Sequence, residues 1–233
     1  MIRVERKAVF SSVRALLAGV LIAPALPRPR LRRLVQLYAG LYLYGLSGAL
    51  LLRSDLGAMP WDVLHQGLSL QTGLSIGTWS VLVGALLMLL WIPLRQRAGI
   101  GTLSNVVMVG VSVDVSLWLL PTTEVLAWRV LLLASGVLVC AVATGCYIGV
   151  GLGPGPRDGL MTGLAARGLS VRSARTLIEV TVAVSGFLLG GTVGVGTVVF
   201  MVAIGPLAQV FLPLMRMPAP NPWGEGDPEG APA

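Results

Sequence analysis

The chain has 233 residues, of which 55% are hydrophobic and only 12% charged, with a formal net charge of +7. Soluble domains carry about 25% charged residues, and several apolar runs here reach the roughly 20 residues that cross a bilayer core. This composition excludes a soluble enzyme or binding module. The positive charge does not imply a nucleic-acid partner, because the arginines fall in short loops between apolar spans and form no basic face interleaved with aromatics.

In chain order, residues 1–33 form a basic N-terminal extension. Arg3, Arg6, Lys7 and Arg14 precede a short apolar run containing Ala23-Pro24-Ala25, the pattern of a secretory signal with its cleavage site. Cleavage there would leave Arg28, Arg30, Arg32 and Arg33 outside, against the positive-inside bias. The expectation is therefore an uncleaved cytoplasmic or interfacial segment. Apolar spans follow at 34–52, 75–94, 99–120, 127–148, 170–189 and 194–215, and the proline-rich tail at 217–233 is expected to be disordered.

Charge orients these six spans. Arg28, Arg30, Arg32, Arg33, Arg95, Arg97, Arg157, Arg167, Arg172, Arg175 and Arg216 fall at one set of span ends, and only Arg53 and Arg129 at the other. Both termini are thus expected on the cytoplasmic side.

The chain also repeats itself. LGAMPWDVLHQGL (56–68) recurs as LGPGPRDGLMTGL (152–164), an offset of 96 with seven of thirteen positions identical. Gly73-Leu74-Ser75 recurs as Gly168-Leu169-Ser170, and Gly99-Ile100-Gly101-Thr102 as Gly194-Val195-Gly196-Thr197, both at an offset of 95. The expected fold is all-α: a polytopic membrane protein of six transmembrane helices, arranged as membrane repeats at 34–120 and 127–216. Three crossings are an odd number, so the second repeat inserts inverted relative to the first. Inversion also accounts for Trp61 becoming Arg157, tryptophan suiting an outer interface and arginine the cytoplasmic side.

Within each phrase Gly and Pro break the preceding helix, and a short helix begins at Pro60 or near Pro156, where the missing proline N–H costs no helical hydrogen bond. A helix from 60 to 71 is about 18 Å long, roughly half the hydrocarbon thickness. It is either a re-entrant half-helix or an interfacial helix lying flat, and the sequence leaves both open.

The candidate ion- or substrate-binding residues are Asp62, Asp158, Asp114, Glu179 and His65. Asp62 and Asp158 lie in first helical turns, where a carboxylate also simply complements the helix dipole. Asp114 and Glu179 lie inside spans, where an acid costs about 2.5–3.5 kcal/mol and usually faces a pathway. Glu179 can pair with Arg175 one turn away. Asp114 has no local basic partner and is the stronger candidate. His65, the single histidine, shares a helix face with Asp62 and titrates near neutral pH unless burial satisfies it otherwise.

No metal site or cofactor is expected, since one histidine and two intraspan cysteines, Cys140 and Cys146, assemble no ligand cluster. Gly73-Leu74-Ser75-Ile76-Gly77 fits a nucleophile elbow only in spelling. A nucleophile elbow requires a strand-to-helix turn and a histidine partner, whereas Ser75 opens a span as its N-cap, so no enzyme is expected.

The segments PWDVLHQGL, TGLSIGT, AGIGT, GLGPGPRDGLMTGL, VRSARTLIE and GGTVGVGT together resemble the YczE/YyaS-like family of bacterial integral membrane proteins, relatives of the YitT-type proteins. The resemblance covers about residues 33–215 and implies a multi-pass inner-membrane protein, without supplying a substrate. The leading expectation is a small secondary-transporter-like protein moving a small solute or cation, with proton coupling through its acids. Its partners would be the lipid bilayer and a second copy of the chain completing the pathway. A non-transporting scaffold supporting a partner enzyme is the alternative.

Overall fold

Where the chain breaks, it breaks twice in the same way. The computed structural model describes residues 30–218, apart from 95 and 97; the expectations for the basic extension before Arg30 and for the tail beyond Pro218 lie outside the described residues. Asp55 and Gly57 turn to positive φ (51° and 123°), as do their counterparts 96 positions on, Gly151 and Gly153 (67° and 115°). Left-handed backbone ends a helix cleanly and strains a residue bearing Cβ. Proline at the first position then starts the next helix in each half.

Among the described residues the result is eight α-helices: α1 (Arg30–Ser54), α2 (Pro60–Thr72), α3 (Ile76–Leu94), α4 (Ile100–Leu119), α5 (Leu126–Gly149), α6 (Pro156–Ala165), α7 (Val171–Leu188) and α8 (Val195–Met215). Five of them, α1, α3, α4, α5 and α8, are long and apolar enough to cross a membrane. The sixth expected span, α7, has the length but carries Arg172, Arg175 and Glu179 within its 18 residues, so composition alone does not make it a crossing. The outward faces are apolar, with Leu86, Leu89, Val107, Val111, Val202 and Leu214 all exposed. Such a surface is stable against lipid tails and not against water.

Helices α1 and α5 cross at glycines. A Cβ on Gly40 would meet Ala143, Cys146 and Tyr147, while one on Gly136 would meet Ser47, Leu50 and Leu51. Low numbers on α1 therefore face high numbers on α5, and the two helices run antiparallel. Removing the side chain at both points lets the backbones approach closely, which drives helix association in lipid. Around this pair, α1 packs on α4 and α5 on α8, α2 on α7 and α6 on α3, α2 on α3 and α6 on α7. The main asymmetry is that α3 packs against α4, whereas α7 and α8 make little contact.

Each broken phrase is clasped by the last helix of the other half. Gly196 N–H donates to Leu56 C=O (2.7 Å) and Gly101 N–H to Leu152 C=O (2.9 Å). Thr197 Oγ1 donates to Ala58 C=O (2.9 Å) and Thr102 Oγ1 to Pro154 C=O (2.8 Å). These bonds occupy carbonyls that the interrupted helices leave without partners, an obligation that is severe away from water. Arginines do the same at the ends of α1 and α5. Arg129 Nε donates to Ser54 C=O (2.7 Å), and Arg33 donates to Val150 C=O (2.7 Å). Arg53 donates to Leu117 C=O. Both arginines that stood apart in the charge pattern, Arg53 and Arg129, therefore have a capping task that holds them in place.

Candidate functional site

The first turns of α2 and α6 face one another across a single cavity. It has a volume of about 100 Å³. Its walls include Pro60 and Trp61 from α2, Arg157, Asp158 and Met161 from α6, and Tyr44 from α1. Helix α5 adds Cys140, Thr144 and Tyr147, α7 adds Arg175 and Glu179, and α8 contributes apolar Phe200 and Ile204. A smaller recess of about 20 Å³, reaching Asn105 and Gly155, opens beside Asp158 and Tyr147.

The Arg157 guanidinium carbon lies 5.1 Å from the centre of the Trp61 ring, within the range of a cation–π contact. This overturns the reading of Trp61 and Arg157 as markers of opposite membrane faces. Two side chains in contact cannot sit at interfaces separated by about 30 Å of hydrocarbon. The substitution that distinguishes the two phrases is one contact between them.

Asp158 accepts a hydrogen bond from the Tyr147 hydroxyl (Oδ2, 2.5 Å), and the Tyr147 ring stands edge-on to Tyr44 at 5.7 Å. Glu179 Oε1 accepts from Arg175 Nε at 2.8 Å, so Glu179 is both half of a structural ion pair and part of the cavity wall.

Asp62 occupies the matching position in α2 but a different environment. It is 3% exposed and His65 is fully buried, and neither belongs to the cavity wall. His65 Nδ1 stands 3.3 Å from Asp62 Oδ1, yet the angles leave both imidazole nitrogens and Asp62 Oδ2 without a hydrogen bond among the described residues. Gly48 makes room for the carboxylate, since a Cβ there would lie 2.7 Å from Oδ2.

Asp114, the stronger candidate by sequence, is away from the cavity. Its carboxylate accepts from Ser75 Oγ (2.6 Å) and from Gly77 N–H (2.8 Å), where it caps the N-terminus of α3. Ser75 is itself the N-cap of that helix, accepting from Thr78 N–H at 3.0 Å. An acid in lipid needs donors rather than a cation, and a helix N-terminus supplies them. Those donors lie 37–39 residues away in sequence, which is why no local partner was visible.

Of the five candidates read from sequence, Asp158 and Glu179 line the cavity and Asp62, His65 and Asp114 do not, while Trp61, Arg157, Tyr44, Tyr147 and Arg175 line it without having been candidates. The one available signal was the Trp61/Arg157 mismatch inside an otherwise matching phrase. Among the described residues no three His, Cys, Asp or Glu side chains converge as metal donors.

Comparison with known proteins places the chain among membrane proteins. It is 39% identical over 180 residues to an uncharacterized protein of Haemophilus influenzae, covering 76% of this chain and 83% of the relative. It is 31% identical over 179 residues to the uncharacterized membrane protein YczE of Bacillus subtilis, with 76% and 83% covered. The uncharacterized protein YyaS of Bacillus subtilis is 28% identical over 184 residues, with 76% and 90% covered. No solved structure matches the chain significantly. Residues 31–213 match the family of unknown function DUF6198, and the chain belongs to this YczE/YyaS-like family.

Proposed function

We propose that this membrane protein is a small secondary-transporter-like carrier whose solute site is the cavity between α2 and α6. In this reading α1, α3, α4 and their counterparts α5, α7, α8 are six crossings in two inverted repeats, and α2 and α6 are re-entrant half-helices. The observation that carries it is the Trp61–Arg157 contact, which brings the first turns of both short helices to one cavity with charged side chains in its wall. Paired broken helices meeting at the midplane are a recurrent way to build a transport site. The antiparallel α1–α5 crossing and the reciprocal clasps support the inverted arrangement.

The burial gradient of α2 supports re-entry over a flat interfacial helix. Pro60, Trp61, Asp62 and Val63 are buried and Gln71 and Thr72 exposed, so the helix dives inward by its N-terminus. For α7, pairing of Arg175 with Glu179 at the cavity lowers the cost of carrying charge across a bilayer. The bacterial plasma membrane with both termini cytoplasmic fits the arginine distribution.

Reconstituted in proteoliposomes, the purified chain should exchange a small polar solute across the bilayer. Single cysteines at positions 57–68 should lose access to impermeant reagent progressively toward the N-terminus of α2. Uniform labelling along α2 would rule out re-entry. A folded protein that moves no solute of any charge class would instead favour a non-transporting scaffold.

A further inference from the structure

The cavity wall is not balanced in its donors and acceptors. It carries four charged side chains, Arg157, Arg175, Asp158 and Glu179. Glu179 is matched by Arg175 at 2.8 Å, and Asp158 Oδ2 accepts from Tyr147 at 2.5 Å. Arg157 has no carboxylate within ion-pair distance among the described residues. It lies over the Trp61 ring, which holds the flat face of the guanidinium and leaves its N–H edges available.

The Trp61 ring carries a second unmatched donor, enclosed behind the cavity wall. Trp61 is 6% exposed, and its indole N–H has no acceptor among the described residues. An indole nitrogen can only donate, and a buried donor left unmatched is costly. The first turns of α2 and α6, which carry Trp61 and Arg157, begin without a side-chain cap, and Asp62 and Asp158 in those turns complement the helix dipoles.

We propose that this cavity binds a small monovalent oxyanion, anchored by the Arg157 guanidinium between the N-termini of α2 and α6. The inference names the ligand class of the solute site and rests on that reading of the cavity. A planar anion of the carboxylate or nitrate type suits a guanidinium edge, which can give two parallel N–H bonds. The volume of about 100 Å³ confines the ligand to a few heavy atoms, and the Asp158 and Glu179 carboxylates disfavour a dianion by repulsion. Each wall carboxylate has one oxygen engaged, Asp158 Oδ2 by Tyr147 and Glu179 Oε1 by Arg175, whereas Arg157 has no carboxylate partner among the described residues. This replaces the cation that the acids suggested in the sequence.

The test uses the full chain purified in detergent and titrated calorimetrically with sodium formate and sodium nitrate, against sodium gluconate as a bulky control. The same salts are then followed as flux in proteoliposomes. Formate or nitrate should bind, and Arg157→Gln should weaken binding by about tenfold or more, the loss of one charge-assisted contact. Arg157→Lys, which keeps the charge but not the planar fork, should retain part of the affinity. If Arg157→Gln fails to fold, the lysine variant carries the comparison: weakened binding at unchanged melting temperature supports the proposal, and unchanged binding overturns it. Equal anion binding by wild type and a folded Arg157→Gln variant also overturns it. Flux of a neutral or cationic solute without anion binding overturns the anion inference and leaves the carrier standing. Arg157-dependent binding without any flux supports the anion site and overturns the carrier.

Discussion

The two broken phrases share a backbone and differ in what their first turns hold. Both break at left-handed residues, both start a helix on proline, and both are clasped by a buried threonine from the opposite half. Yet Trp61 faces Arg157, Asp62 lies sealed beside His65, and Asp158 reaches the cavity and bonds to Tyr147. The same exchange of roles occurs at the helix contacts behind them. The Trp91 ring packs against Gly159, while at the equivalent contact Gly186 packs against Val63 and Leu64. Bulk has moved from one side of the contact to the other, as close packing demands when volume must be kept. Frame and contents are therefore separable: the repeat maintains the frame, and the first turns differ in what they contact.

The frame gives the largest expected effects. Gly57→Ala and Gly153→Ala each force Cβ onto a left-handed backbone, within 2.7 Å of Thr197 Oγ1 or Thr102 Oγ1 respectively. Each should cost about 2–5 kcal/mol, strain and overpacking together, seen as a lowered melting temperature or loss of a monodisperse peak in detergent. Similar losses from both variants sharpen the comparison, and a silent one breaks it. The paired aspartates come next and should respond with different signs. Asp158→Asn weakens the charge-assisted bond from Tyr147 and should cost about 1.5–3 kcal/mol. Asp62→Asn removes a buried carboxylate whose Oδ2 has no donor, and melting should be unchanged or raised.

A double-mutant cycle on Trp61→Leu and Arg157→Gln measures the contact between the phrases. The coupling should be about 0.5–2 kcal/mol in thermal stability; zero coupling would remove the contact that joins them. The smallest effect is expected at Asp114→Asn, which keeps one acceptor oxygen at the start of α3 and should cost about 1 kcal/mol. Proteoliposome flux should persist in that variant, and its abolition at normal melting would return Asp114 to the pathway.

Much of the fold was legible because apolar helix length is a direct demand of the bilayer. Spans read at 34–52, 75–94 and 127–148 correspond to α1, α3 and α5 within a few residues, and the short helix read at 60–71 corresponds to α2. Asp114 shows where this legibility stops. Local sequence could show that an acid lay inside a span without a basic neighbour, but not that Ser75 and Gly77 on another helix would satisfy it. Glu179 was half legible, since Arg175 lies one turn away on the same helix and the cavity does not.

Sequence by itself determined the membrane class, the helix lengths, the doubled break and the family, because hydropathy, proline and glycine act over a few neighbouring residues. Only the tertiary structure decided that each phrase is clasped by the other half's last helix and that Trp61 meets Arg157. Those contacts join positions 51 to 140 residues apart, and which of them form depends on how antiparallel helices pack at their glycines.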